Sequence, residues 1–179
     1  MPSSNLISEQ YRKEQELLHA KGNYGTASLQ FGGIVSKIIN DTNALTLLDY
    51  GCGSMQNLLN VLRPDHEIEY SGYDPAVEEF SSEPEPADLV TCIDVLEHIE
   101  PDLLDNVLND LQRLSPKWFF ATVHTGPARK TLTDGRNAHL IQKPPIWWLE
   151  HFYKRWHVQS LQSIPTGFLV LCRSQTIQS

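Results

Sequence analysis

The chain has 179 residues, 40% of them hydrophobic and 20% charged, with a formal net charge of −8 and a pI of about 5.3. These values fit a globular protein with material for a real core, and they argue against a broad basic surface for nucleic acid while leaving room for a local patch. No long apolar span or secretory leader is recognisable, and the three widely spaced cysteines (Cys52, Cys92, Cys172) read as small buried residues in a reducing compartment, so one cytoplasmic domain over 1–179 with no membrane contact is expected.

A first helix is predicted from Ser8 to Ala20, ending at Gly22, with Tyr24 in the turn that follows. A second is predicted over Thr26–Asn40, where Phe31, Ile34, Val35, Ile38 and Ile39 recur at helical spacing. Gly32 and Gly33 weaken it unless they admit close helix packing. Both helices, within residues 1–43, are expected to pack on the domain.

The chain is organised around Leu47-Leu48-Asp49-Tyr50-Gly51-Cys52-Gly53. An apolar strand over 45–50 stops at two glycines, and a helix over Ser54–Leu62 follows, closed by Pro64. Glycines at such a turn let backbone take unusual torsions or approach a ligand closely. A dinucleotide turn would need a third glycine where Gln56 stands, which counts against a nicotinamide cofactor. Strand two is read over 67–75. It ends at Asp74-Pro75, about 20 residues beyond the glycines, where a carboxylate can accept both hydroxyls of a ribose. Only about 14 positions then separate Asp74 from Asp88, and two prolines interrupt them. A helix plus another full strand does not fit, so a usual third strand should be missing or vestigial, with the N-terminal segment available to cover the gap.

Asp88–Asp94 is apolar enough for a central strand. A helix over Pro101–Leu114 carries the stripe Leu104, Val107, Leu108, Leu111 and Leu114. Trp118–His124 reads as the next strand and Asp134-Gly135 as a turn. Pro144 and Pro145 open a helix through Lys154, and two strands near 158–162 and 168–173 close the chain as a hairpin.

The glycine turn Leu48–Gly53, the acid Asp74 after strand two, and Ala87–Ile99 occur in this order and together resemble motif I, the following acidic position and motif IV of the class I S-adenosylmethionine-dependent methyltransferases. The resemblance implies an α/β Rossmann-like sandwich with a mostly parallel sheet and a C-terminal antiparallel hairpin. It implies S-adenosylmethionine across the strand ends. Gly51, Cys52 and Gly53 would lie at the methionine part and Asp49 at its amino group. Asp74 and Pro75 would lie at the ribose, and Asp94 and Val95 at the adenine or methyl-donor side. Met55 stands where the family often has glycine and would alter the carboxypropyl pocket.

Methyl transfer needs an aligned nucleophile and a base for its proton. His124, His98 and His139 are the candidate bases, with His124 favoured for its place at a strand end. Trp147 and Trp148 are candidates for an acceptor wall. The resemblance to Glu-x-x-Glu-His methyltransferases also suggests a magnesium-like ion held by Asp94, Glu97, His98 and His124. The implied acceptor is a small molecule attacked at O or N. Nucleic acid is disfavoured by the acidic pI and by the absence of an Asp/Asn-Pro-Pro-Tyr segment. A non-catalytic cofactor-binding module of the same fold remains the alternative, and the sequence leaves the oligomeric state open.

Overall fold

The computed structural model describes residues 5–20 and 26–175; the expected turn at Gly22 and Tyr24 lies outside the described residues. Six strands form one sheet in the order β2-β1-β3-β4-β6-β5, with β1 Thr46–Tyr50, β2 Glu69–Tyr73, β3 Leu89–Ile93, β4 Trp118–His124, β5 Trp156–Ile164 and β6 Gly167–Ser174. Pairings β2–β1, β1–β3 and β3–β4 are parallel, and β6 runs antiparallel to both β4 and β5. The mostly parallel sheet with a terminal hairpin is as expected.

Side-chain alternation along the strands divides the core between the two faces. Leu47 of β1, Leu89 and Ile93 of β3 and Phe120 of β4 pack with α2 (Gly32–Thr42) and α3 (Asn57–Val61). Leu48, Val90, Cys92, Phe119, Ala121 and Val123 point the other way, towards α4 (Leu104–Leu114) and α5 (Pro145–Tyr153). The predicted α4 stripe is fully inward: Leu104, Val107, Leu108, Leu111 and Leu114 are all buried. Cys52, Cys92 and Cys172 are buried free thiols. No described helix is long and apolar enough to cross a membrane.

Two expectations change, and the missing third strand holds. The helix predicted from Thr26 is a 3-10 turn over Ala27–Gln30 followed by α2, and only Gly32 serves close packing: a Cβ there would lie 2.6 Å from Val61 Cγ2, whereas Gly33 faces open space. The helix predicted over 54–62 forms only at Asn57–Val61, because Gly51, Gly53 and Gln56 (φ 83°, 64° and 44°) hold the preceding residues in left-handed turns. Between β2 and β3 the chain makes a single 3-10 turn, Glu78–Phe80, so β2 is the edge of the sheet and the usual third strand is absent among the described residues.

The order β2-β1-β3 means that the chain leaves β1 to one side and returns to its other side. Such a reversal opens a crevice at the carboxyl ends of the strands.

Candidate active site

A cavity of about 600 Å³ occupies that crevice. One wall is the turn after β1, contributing Asp49, Tyr50, Gly51 and Gly53, and beside it lie Asp74, Pro75 and Ala76 from the end of β2 and Ile93, Asp94 and Val95 from the end of β3. The far wall carries His98, His124, Ala138 and His139, and the N-terminal segment covers the opening with Leu6, Ile7, Tyr11 and Gln15 of α1 (Glu9–Ala20) and the turn before it.

The glycine turn is tied to β2. Gly51 N–H and Cys52 N–H both donate to Tyr73 carbonyl oxygen, at 2.7 and 3.1 Å. Asp74 is buried, and its two carboxylate oxygens accept from Gly53 N–H (3.1 Å) and Ala76 N–H (2.9 Å). Asp74 therefore sits at the bend, as the sequence spacing required. A carboxylate at this bend can accept from ligand hydroxyls. A Cβ at Gly51 would lie 2.3 Å from Val95 Cγ2, so this glycine is required by the neighbouring strand end as well as by its torsion.

Asp49 is buried and accepts from Thr91 Oγ1 and Tyr70 Oη, both at 3.0 Å. Burial pushes its carboxyl up to about 6, against the lowering effect of those two hydroxyls. A buried carboxylate with only neutral donors around it suits a cationic ligand group. Asp94, at φ 51°, is clamped to β4: its N–H donates to Thr122, and Thr122 Oγ1 donates to its carboxylate at 2.5 Å.

The three histidines form one cluster. The His139 ring lies 4.7 Å, centroid to centroid, from both His98 and His124. His98 Nδ1 is 2.8 Å from Ala138 carbonyl oxygen and His139 Nδ1 is 2.7 Å from Gly126 carbonyl oxygen. A carbonyl only accepts, so both rings carry the proton on Nδ1 and leave Nε2 as the basic nitrogen. His124 is the reverse: its Nδ1 accepts from Gly126 N–H at 3.2 Å, so the neutral ring carries its proton on Nε2. Burial holds His139 below the ordinary imidazole value, which keeps it neutral near pH 7.

Beneath them Glu97 is fully buried. Its Oε1 accepts from His124 N–H at 2.9 Å and its Oε2 has no partner. Burial pushes its carboxyl well up.

The profile of the methyltransferase domain family matches residues 16–165. The chain belongs to this family. No curated protein sequence matches it, but solved structures do. A 1,6-didemethyltoxoflavin-N1-methyltransferase from Burkholderia thailandensis, with bound 1,6-didemethyltoxoflavin and S-adenosylhomocysteine, superposes with a TM-score of 0.67 at 15% identity, over 92% of this chain and 87% of that one. An O-methyltransferase family protein from the same organism gives 0.65 at 14% identity, over 97% of this chain and 64% of that longer one. The 16S rRNA methylase ArmA gives 0.55 at 16% identity, over 94% and 91%. At these identities the likeness is one of fold.

In this methyltransferase the expected site residues Asp49, Gly51, Gly53, Asp74, Pro75, Asp94, Val95, His98, His124 and His139 all line one cavity. Cys52 does not; its Sγ packs against Gly72. Met55 is 60% exposed and also outside the cavity, so its bulk leaves the site unaltered. Trp147 and Trp148 form no acceptor wall: Trp148 is wholly in the core and Trp147 packs against it. The expected ion-binding set changes too. Asp94 is turned to Thr122, and the residues that bring one ligand atom each within 4.8 Å of one another are Glu97, His98 and His139. Two imidazoles and one carboxylate suit a transition ion better than magnesium, which prefers oxygen. The N-terminal segment covers the cavity where the sequence left it available to do so, and Tyr11 and Gln15 make the cover. They share one helix face with Leu18, and Tyr11 and Leu18 pack on Leu132 and Ala138 from more than a hundred positions away.

Proposed function

We propose that the chain transfers a methyl group from S-adenosylmethionine to an oxygen or nitrogen of a small-molecule acceptor. The observation that carries this reading is one cavity with buried carboxylates Asp49 and Asp74 on a glycine turn at one wall and three imidazoles at the other. Asp49 pairs with the ammonium of the donor, Asp74 accepts from its ribose hydroxyls, and the Gly51–Gly53 backbone lies along its methionine part. Pro75, Asp94 and Val95 border the nucleoside. The acceptor lone pair attacks the methyl carbon in line with the sulfonium, the C–S bond breaks, and its electron pair stays on sulfur as a neutral thioether. His139 Nε2 takes the acceptor's proton, since its Nδ1–H is already committed to Gly126. His98 presents the same tautomer beside it, while His124 offers the cavity an N–H and serves as a donor. The fold likeness to a structure holding S-adenosylhomocysteine supports the choice of donor.

Calorimetry tests it directly. S-adenosylhomocysteine should bind and NAD should not; the reverse result, or no binding by either, sinks the reading. In a broad acceptor panel, His139→Ala should slow turnover about 100-fold with S-adenosylhomocysteine affinity kept, and His124→Ala should slow it less. Tight cofactor binding with no methyl transfer to any acceptor would favour a non-catalytic module instead.

A second reading is favoured by the unpartnered Glu97 Oε2, since buried polar atoms are rarely left unsatisfied. In it Glu97, His98 and His139 hold a divalent transition ion. The Nδ1–carbonyl bonds of both histidines are the outer-shell contacts that fix such ligands. The ion would supply Lewis acidity to the acceptor oxygen. Added Mn²⁺ should then show a bound-state EPR signal that Glu97→Gln removes; a spectrum of free Mn²⁺ with the parent protein rules the ion out.

A further inference from the structure

Several cations of this acidic chain are held in ion pairs. Arg12 pairs with Glu9 and Glu16, Lys37 with Asp41, Arg113 with Asp110, Lys117 with Asp88, Arg136 with Asp134 and Arg155 with Asp105. Among the described residues lining the cavity Arg129 and Lys130 are the arginine and lysine side chains; Lys130 has a partner of its own, whereas Arg129 makes no ion pair with any described residue.

Their loop is built rather than loose. Asn137 clips Ala128 from both sides, accepting its N–H and donating to its carbonyl, each at 2.9 Å. Ala138 N–H donates to Lys130 carbonyl oxygen at 3.0 Å, Thr131 bridges Asn137, and Gly126 is held at both ends by His124 and His139. The backbone of residues 126–131 is thus pinned to the histidine wall, and the two cations project from a fixed rim. Gln15 of α1 lines the same cavity; it is 92% buried, and its Nε2 donor has no partner. A carboxylate is the ligand group that suits both an unpartnered amide donor and a guanidinium.

We propose, resting on the methyltransferase reading, that the acceptor is a small organic acid whose carboxylate is anchored by Arg129 and Gln15, with its nucleophilic oxygen or nitrogen directed at the histidines. The carboxylate is an anchor and is not itself methylated. A dianionic phosphate is disfavoured because Asp49, Asp74, Asp94 and Glu100 line the same cavity. RNA is disfavoured because two cations do not make a phosphate-tracking surface on a chain of net charge −8.

The test uses the full chain saturated with S-adenosylhomocysteine, whose binding is measured first; its failure would sink the donor assignment and is thereby told apart from failure here. Calorimetry then compares matched probes: 3- and 4-hydroxybenzoate and indole-3-acetate, each with its carboxamide, together with 4-hydroxyphenyl phosphate and a short RNA hairpin. The carboxylates should bind about tenfold tighter than their amides. Arg129→Gln, an exposed position whose exchange spares the core, should erase that preference and leave S-adenosylhomocysteine affinity unchanged; Gln15→Glu should weaken the acids further. Parity between acids and amides, no binding by any probe, tighter binding of the phosphate or the RNA, or a preference that survives Arg129→Gln would each overturn the proposal.

Discussion

Asp49→Asn should make the ligand-free protein more stable at pH 8 and cost it the cofactor. Burial raises the Asp49 carboxyl to about 6, from an ordinary value of 3.8. For a carboxyl raised by folding, the stabilising contribution is present below pH 3.8 and is lost as pH climbs through 6. Above that pH the fold carries a buried negative charge, at a cost of about 3 kcal/mol. Asparagine keeps the geometry: its oxygen can accept from Thr91 Oγ1, and its amide can donate to Tyr70 Oη. The melting temperature of the variant should therefore exceed the parent's by several degrees at pH 8, with the gap closing by pH 4. Removing the partner of a cationic ammonium should weaken S-adenosylhomocysteine binding about 10- to 100-fold at pH 8. Parent affinity should decline as pH falls below about 6, where Asp49 takes up its proton, and the variant should lack that decline. Equal melting curves at pH 8 would show that Asp49 is not strained by its burial. Unchanged cofactor affinity would remove it from the binding site.

Gly51→Ala should be strongly destabilising for the addition of one methyl group. Two penalties coincide there. The residue sits at φ 83°, where any residue with a Cβ is strained by about 1–2 kcal/mol, and the new Cβ would meet Val95 Cγ2 at 2.3 Å. Overpacking of this kind typically costs about 1–3 kcal/mol. The sum, about 2–5 kcal/mol, corresponds to a melting point lower by on the order of 10 °C. The parts can be separated by a double-mutant cycle. Val95→Ala removes the clash and leaves the torsion, so the double variant Gly51→Ala/Val95→Ala should be more stable than the two single losses added together. Strict additivity would mean that Val95 is not what excludes the methyl group.

Gly51 also illustrates how far the sequence could be read. Two glycines after an apolar strand marked the turn, and the Asp74 spacing placed an acid beside it. Beyond its torsion, glycine at 51 is also demanded by the side chain of Val95, which follows a different strand. That contact exists only once β1 and β3 are adjacent. Met55 and the tryptophans fail in the same way. Their chemistry suggested a pocket, but Met55 lies on the outside of a turn set by Gln56, and Trp148 lies on the core face of α5.

The histidines divide the question most clearly. A strand end at His124 and a motif-bearing loop at His98 were both legible, and on position alone His124 was the better base. The choice between the rings depends on which backbone group each Nδ1 meets: Ala138 carbonyl for His98, Gly126 carbonyl for His139, Gly126 N–H for His124. No periodicity encodes that, because it follows from how the 125–139 loop folds back on itself.

By itself, then, the sequence determined the strands and helices with strong periodicity, the missing third strand, and the family to which the glycine turn and Asp74 point. Those features are local: hydrophobic spacing, glycine torsions and the length of chain available between two strands. Only the tertiary structure decided which imidazole carries its proton where, which two imidazoles converge beside Glu97, and which residues of α1 cover the cavity. These depend on hydrogen bonds and packing between segments far apart in the chain, whose partners are fixed only when the sheet has assembled and brought them together.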